Sequence, residues 1–364
     1  MMKPGISMHL TFSISNRLPF TLAVILLSIL SCTSDADTPT QNHDDVHWPT
    51  AEEQNTKLGR GINLGNALEA PTEGAWSVTL EERYFDLIDS VGFDAVRIPV
   101  RWSAHAQTDS PYTIDRQFLN RVDWAVKNAL DRDLVTIINI HHYEEIMQDP
   151  EVHKSRFLAL WKQLATHYKE HSPDLLFEVL NEPNARLTAD LWNDYLAEAI
   201  QVIRESNPTR TLIVGTADWG GLGSLGKLEI PESEERVIVT YHYYEPFQFT
   251  HQGADWVEGS DAWMGTIWTG TEQQKQEIRH DFNQAEAWAS QHGHPLFMGE
   301  FGAYSAAGLS SRVRWTNFVA REAEQRGFSW AYWEFCAGFG IYDPDDDTWN
   351  PLLLQALIPP QSDN

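Results

Sequence analysis

Two glutamates, Glu182 and Glu300, each stand at the end of a short apolar run. The first run is Leu175-Leu176-Phe177-Glu178-Val179-Leu180-Asn181-Glu182-Pro183. It is too short for a typical helix, carries β-branched and aromatic residues, and reads as a buried strand that stops where proline removes a ladder donor. The second run, Leu296-Phe297-Met298-Gly299-Glu300-Phe301-Gly302, delivers one carboxylate and then a glycine that lets the chain turn away. Two carboxylates at the ends of two buried strands suit hydrolysis of a glycosidic bond. One protonates the leaving oxygen, and the other attacks or activates water. One such glutamate alone would equally fit a helix-capping turn with a solvated side chain. The pair is what points to chemistry.

The elements that must position the pair alternate along the chain. Strands are expected at Gly61 to Asn66, Asp94 to Val100, Val135 to Ile140, the Leu176 run, Leu212 to Gly215, Val237 to Tyr241, Leu296 to Met298 and Trp330 to Trp333. Helices are expected at Leu80 to Val91, Arg116 to Asp131, His153 to His171, Leu187 to Glu205, Glu272 to Gln291, Ser310 to Gln325 and Leu352 to Leu357, with a short irregular crossover after Gly215. In the first of these, Leu80, Tyr84, Leu87, Ile88 and Val91 share one face. Strand-helix alternation without a second composition is the pattern of an α/β protein of the (β/α)8, or TIM, barrel type. An open doubly wound sheet would be favoured by a phosphate loop. The stretch Gly59-Arg60-Gly61-Ile62-Asn63-Leu64-Gly65 has the wrong last spacing and lies inside a strand.

In a barrel the active site lies at the C-terminal strand ends. Those ends collect Asn66 and Glu69, Arg97 and Arg101-Trp102, His141-His142-Tyr143, Asn181-Glu182, Asp218-Trp219, His242-Tyr243-Tyr244, Glu300, and Trp333-Glu334. Polar residues interrupting apolar strands at the same end every time are poorly explained as core. Arg97, inside Val-Arg-Ile-Pro-Val, is either a buried charge satisfied by its neighbours or a partner of Glu300.

Charge and composition limit the partners. The formal net charge is -26, and basic stripes of the kind that hold phosphate backbones are absent, so nucleic acid is not an expected partner. Lys3 and Arg17 precede an apolar core from Leu18 to Leu30, followed by Ser31-Cys32. That order reads as a secretory signal whose Cys32 resembles the lipidated residue of a bacterial lipoprotein, and the run is short for a permanent span. The expected organisation is a leader over residues 1–32, a disordered tether over 33–50 with little to bury, and one catalytic domain over 51–364. The protein is expected to be exported and either lipid-anchored to a bacterial membrane or cell surface, with no other membrane contact, or secreted. With Cys32 assigned to lipid, Cys336 has no partner for a disulfide, and stability must come from a core. Fifteen tryptophans supply aromatic faces, on which sugar rings stack.

Seven motifs occur in order between Gly59 and Leu357: Arg-Gly-Ile-Asn-Leu-Gly-Asn-Ala-Leu-Glu-Ala-Pro, Val-Arg-Ile-Pro-Val-Arg-Trp, Ile-Asn-Ile-His-His-Tyr, Leu-Asn-Glu-Pro, His-Tyr-Tyr-Glu-Pro-Phe, Gly-Glu-Phe-Gly and Trp-Ala-Tyr-Trp-Glu-Phe. In these the chain resembles the retaining cellulases and β-mannanases of glycoside hydrolase family five, especially a bacterial branch of thermophilic endoglucanases that also cut mannan. The resemblance implies Glu182 as acid/base and Glu300 as nucleophile. It implies that Asn181 holds the hydroxyl beside the reacting carbon, that His242 and Tyr244 orient the glutamates, and that Trp333 floors the site. Asn66, Glu69, His141, His142 and Glu334 match cleft-lining positions. In the long insertion Pro246 to Gly270, His251 and Trp256 match positions near the sugar. It further implies a polysaccharide substrate, β-1,4-glucan and in addition mannan or glucomannan, with no metal or organic cofactor; a monomer is expected. The rival readings are a β-mannanase first and foremost, and a lipid-anchored carbohydrate-binding protein without activity.

Two metal motifs fail on spacing. His141-His142 with Glu144 and Glu145 are adjacent on a strand and so point to opposite sides, and no His-Glu-x-x-His helix occurs. Asp343-Pro344-Asp345-Asp346-Asp347 opens like a calcium loop, but Thr348 stands where glycine should and Leu354 where a bidentate glutamate should.

Overall fold

The structure is a computed structural model that describes residues 47–360. The leader ending at Cys32 and most of the expected tether lie outside those residues. Eight parallel strands close into a barrel in sequence order: β1 Arg60–Asn63, β2 Ala95–Ile98, β3 Val135–Asn139, β4 Leu175–Glu178, β5 Leu212–Gly215, β6 Val237–Tyr243, β7 Leu296–Phe301 and β8 Ser329–Tyr332. Gly61 of β1 pairs with Ala95 of β2 on one side and Ala331 of β8 on the other, which closes the ring.

Long helices cover the outside at Glu82–Val91, Arg116–Leu130, Pro150–Tyr168, Ala189–Arg204, Glu272–His292 and Leu309–Glu324, with a short one at Pro351–Leu357. Their starts are set by side chains that satisfy free backbone N–H groups. Asp115 accepts from the Phe118 N–H at 2.8 Å, and Thr271 with Gln274 forms a reciprocal capping box. The link from β5 to β6 carries only the four-residue turn Ala217–Gly220 and the short 3-10 helix Leu222–Lys227, and no long helix, as its irregular sequence suggests. The acidic run lies at the turn of a small hairpin in which Tyr342 pairs with Trp349. There Asp343 Oδ1 accepts from the N–H groups of Asp345 and Asp346, and Asp347 meets Arg83 at 2.8 Å.

The core has two shells. Leu160, Trp161, Phe177, Trp192 and Trp330 belong to the outer one, between strands and helices. Ala95, Val135, Ile137, Leu176, Ile213, Ile238, Phe297 and Ala331 fill the barrel itself, joined from below by Ala51 and Leu58. The helix Ala51–Leu58 therefore plugs the N-terminal end. Its Gln54 donates to Asp174 at 3.2 Å and its Asn55 to the Gly327 carbonyl at 3.2 Å.

Two expected boundaries move. The tether was to run to residue 50, but Pro49 is buried, the carbonyls of Trp48 and Pro49 accept from Arg236, and the Arg210 guanidinium lies 5.1 Å over the Trp48 ring. The domain thus begins by Trp48. At the other end of the barrel, β4 stops at Glu178, before Asn181 and Glu182, while β6 and β7 run on to Tyr243 and Phe301. The inward apolar positions end early as well. One inward step beyond them, with the two-residue period of a strand, come Asn63, Arg97, Asn139, Glu178 and Thr240, all buried. This polar layer is the base of the site.

Candidate active site

Arg97 is wholly buried and uses all its donors. Nε and Nη2 grip Glu178 at 2.6 and 2.7 Å, Nη2 also reaches Asn181 Oδ1 at 2.7 Å, and Nη1 reaches Glu300 Oε1 at 2.7 Å and Asn63 Oδ1 at 2.9 Å. The bidentate fork on Glu178 is the strong form of this interaction. Burial alone would push the Glu178 carboxyl up, but the Arg97 charge and its hydrogen bonds outweigh it and hold the group below its ordinary range. Asn63 donates to the carbonyls of Gly299, Ala331 and Tyr332, and Asn139 donates to Glu178 at 3.2 Å. One cation thus ties β1, β2, β4 and β7 together.

Glu300 owes its direction to a bulge. Tyr241 pairs with Met298 and His242 with Glu300, so Gly299 is the extra residue on β7. A Cβ at Gly299 would lie 2.5 Å from Thr240 Oγ1 and 3.2 Å from His242 Nε2, so only glycine fits there. Gly299 and Glu300 consequently both face inward. Glu182 arrives from the loop beyond β4 with a left-handed φ of 46°. Its side chain is 27% exposed and that of Glu300 is 7% exposed.

His242 stands between the carboxylates, with Nδ1 2.6 Å from Glu182 Oε1 and 3.6 Å from Glu300 Oε2. Both neighbours are acceptors, so Nδ1 carries the proton. Burial alone would push the imidazole down, but Glu300 and Glu182 overcome it and hold the group above its ordinary value. The Tyr244 hydroxyl donates to Glu300 Oε2 at 2.9 Å, and burial beside both carboxylates pushes its pKa well up. Donor atoms of Glu182, His242 and Glu300 lie within 4.8 Å of one another, and this is the one such trio among the described residues. A cation there would have to displace the proton assigned to Nδ1 from between two carboxylates, and Arg97 already supplies positive charge at Glu300. The trio fits proton handling better than metal binding.

The remaining residues divide into two groups. Trp333 is half-buried, with its ring parallel to His141 at 5.9 Å and against Gly65, while His142 lies edge-on to Trp76 at 5.3 Å. Asn66, with φ 64°, is partly exposed at the same rim. His251 is buried on the Phe247 ring at 4.1 Å and beside Tyr244 at 4.8 Å, and burial pushes its imidazole down to about 4. Trp256 is 57% exposed beside Tyr304.

Glu69 and Glu334 correct the expectation that they line the cleft. Both are 0% exposed and turn back on their own loops. Glu69 accepts from the N–H groups of Asn66 and Ala67, and Glu334 from those of Cys336, Ala337 and Phe339. Burial pushes each carboxyl up to about 7, against the pull of those donors. They shape the rim from behind it. Trp102, placed at a strand end by sequence, is likewise core, with its indole N–H on the Asn139 carbonyl. Glu178, Asn63 and Asn139 were missed as site residues. The signal was available in Leu-Leu-Phe-Glu-Val-Leu, because an acid inside a buried strand demands a buried cation.

Comparisons with known proteins agree with this arrangement. The family described as Cellulase (glycosyl hydrolase family 5) matches residues 53–338. Endoglucanase H of Acetivibrio thermocellus is 38% identical over 310 residues, covering 84% of this chain and 33% of that protein. The Cellulase/esterase CelE of the same organism is 32% identical over 82% of this chain and 37% of its own length, so the chain spans about a third of these relatives. Crystal structures of Thermotoga maritima Cel5A with mannotriose and with cellobiose superpose with a TM-score of 0.84 at 53% and 54% identity, covering 85% of this chain and 100% of those.

Two outcomes follow from the geometry. Glu178→Gln leaves Arg97 a buried cation short of a partner and should cost about 3–5 kcal/mol in urea denaturation. His242 has a raised folded-state pKa, so its contribution to stability is full below the unfolded value and fades as pH rises through the folded one. The stability of the native protein relative to His242→Gln should therefore be greater at about pH 6 than at about pH 9, measured as a difference in melting temperature.

Proposed function

The chain belongs to the cellulase family, glycosyl hydrolase family 5, and from that membership we propose an endo-acting β-1,4-glucanase that retains anomeric configuration. The observation that carries the stereochemistry is carboxylate spacing. Oxygens of Glu182 and Glu300 lie within 4.8 Å, near the roughly 5–5.5 Å of retaining enzymes and short of the about 6.5–9.5 Å an inverting water needs.

The roles follow from surroundings. Glu300 is the nucleophile, because hydrogen bonds from Arg97 and Tyr244 hold and orient its carboxylate. Glu182, on the more exposed side, is the acid. It protonates the leaving oxygen while a Glu300 oxygen attacks the anomeric carbon, giving a glycosyl ester and releasing one chain end. Glu182 then takes a proton from water, the water oxygen attacks the same carbon, and Glu300 leaves as a carboxylate. Asn181 has its carbonyl oxygen on Arg97, so its amide N–H groups serve the hydroxyl beside the reacting carbon. Trp333 supplies the floor, with His141 and His142 beside it. Both carboxylates and their partners are in place, which favours an enzyme over an inactive sugar-binding protein.

The substrates are cellulose, carboxymethylcellulose and mixed-linkage glucan, with glucomannan or mannan in addition. The breadth is supported by the cellobiose and mannotriose complexes of the Thermotoga maritima structures. A β-mannanase first of all is the second reading, favoured by the mannotriose complex. His251 and Trp256 form the wall where the two sugars would be told apart. The protein acts as an exported monomer, lipid-anchored through Cys32. Among the described residues no helix is long and apolar enough to cross a membrane.

Glu300→Gln should lose at least about a thousandfold in kcat on β-glucan, roughly 4 kcal/mol of barrier. Azide should rescue Glu300→Ala with an α-glycosyl azide and Glu182→Ala with a β-glycosyl azide, distinguished by proton NMR. Near-native turnover in Glu300→Gln, or the same anomer from both variants, would overturn the assignment.

A further inference from the structure

Just after β5, three successive residues take left-handed backbone angles: Asp218 (φ 55°, ψ 53°), Trp219 (φ 59°, ψ 41°) and Gly220 (φ 66°). Glycine enters that region freely and aspartate tolerates it, but for tryptophan it is an outlier. Burial does not offset the strain, because Trp219 is 61% exposed. Polar contacts do. Asp218 Oδ2 accepts from the Ser224 hydroxyl at 2.5 Å and from Lys227 Nζ at 2.7 Å, and the Trp219 N–H donates to the Pro183 carbonyl at 3.2 Å. The Thr216 hydroxyl donates to the Gly221 carbonyl at 3.0 Å, and Gly221 bridges to His242 of β6.

The turn stands directly against the acid. A Cβ on Gly220 would lie 3.3 Å from His242 Cγ and 3.5 Å from Glu182 Cγ, so the bare backbone of Gly220 is the wall behind both. Backbone outliers persist where the surroundings over-determine them, and such places cluster at functional sites. We propose that Asp218 and Ser224 are positioning residues: their hydrogen bond locks the left-handed turn against Glu182 and so fixes the carboxyl for proton donation to the leaving oxygen. This rests on the reading of Glu182 as the acid. Ser224 is buried, whereas the side chains of Lys227 and Asp218 are 58% and 55% exposed. Exposed ion pairs contribute little, so the hydroxyl matters more than the ammonium.

A misplaced acid hurts only substrates whose leaving group needs a proton. The test compares kcat/KM, which reports the first bond cleavage, on a cello-oligosaccharide and on 2,4-dinitrophenyl β-cellobioside, whose phenolate departs unprotonated. Asp218→Ala should lose about tenfold on the oligosaccharide, a fraction of what a general acid supplies, and no more than about twofold on the activated glycoside. Asp218→Asn, which keeps an acceptor for Ser224 and tolerates the backbone angle, should restore most of the loss. Should Asp218→Ala fail to fold, Ser224→Ala, which removes one hydroxyl, should show the same selectivity. Equal losses on both substrates, or none on either, overturn the proposal if Glu182→Ala still discriminates between them. If Glu182→Ala itself fails to discriminate, the acid assignment falls, and the positioning role with it.

Discussion

The site depends on one buried guanidinium serving two buried carboxylates. Arg97 has five N–H donors, and it makes five hydrogen bonds, to Glu178 twice and to Asn181, Glu300 and Asn63. Taking such ions out of water carries a penalty of several kcal/mol each even after relaxation. Only full satisfaction of the fork makes the arrangement tolerable, and a lysine, with a single charged tip, could not span the same partners. Since the partners come from β1, β4, the loop after β4 and β7, the cation also fixes the relative placement of the strands that carry the chemistry.

That fixed base makes the two glutamates unequal. Glu300 receives an Arg97 N–H and the Tyr244 hydroxyl and is nearly closed off, whereas the Glu182 side chain, among the described residues, meets only the His242 N–H and is 27% exposed. His242, held above its ordinary value by both, couples them. The division of labour therefore starts from the polar layer at the top of the barrel core, and the bulge at Gly299 is what turns Glu300 toward it.

The barrel was legible because strands such as Val135–Asn139 are near-continuous buried β-branched runs and because helices such as Glu82–Val91 keep one apolar face. The ends of strands were less so. Sequence alone does not show that Gly299 bulges, so β7 seemed to stop at Met298, and Pro183 seemed to end a strand whose regular pairing ends at Glu178. Glu69 and Glu334 were read as cleft residues because their positions fit. Their oxygens instead satisfy loop N–H groups, a choice made by local backbone geometry that no residue pattern displays. Glu178 was passed over for the opposite reason, since its partner lies 81 positions away in the chain. The tether limit slipped because Trp48 and Pro49 find Arg210 and Arg236 only after folding.

Three carboxylates, those of Glu178, Glu182 and Glu300, stand at this end of the barrel, and only one is assigned to attack. The most direct test is to trap it. A 2-deoxy-2-fluoro-β-cellobioside with a dinitrophenyl leaving group forms the glycosyl ester but hydrolyses it slowly, and peptic digestion with mass spectrometry locates the label. The label should sit on the peptide carrying Glu300. Its appearance on the peptide carrying Glu178 and Glu182, or release of inverted product with no label at all, would contradict the account.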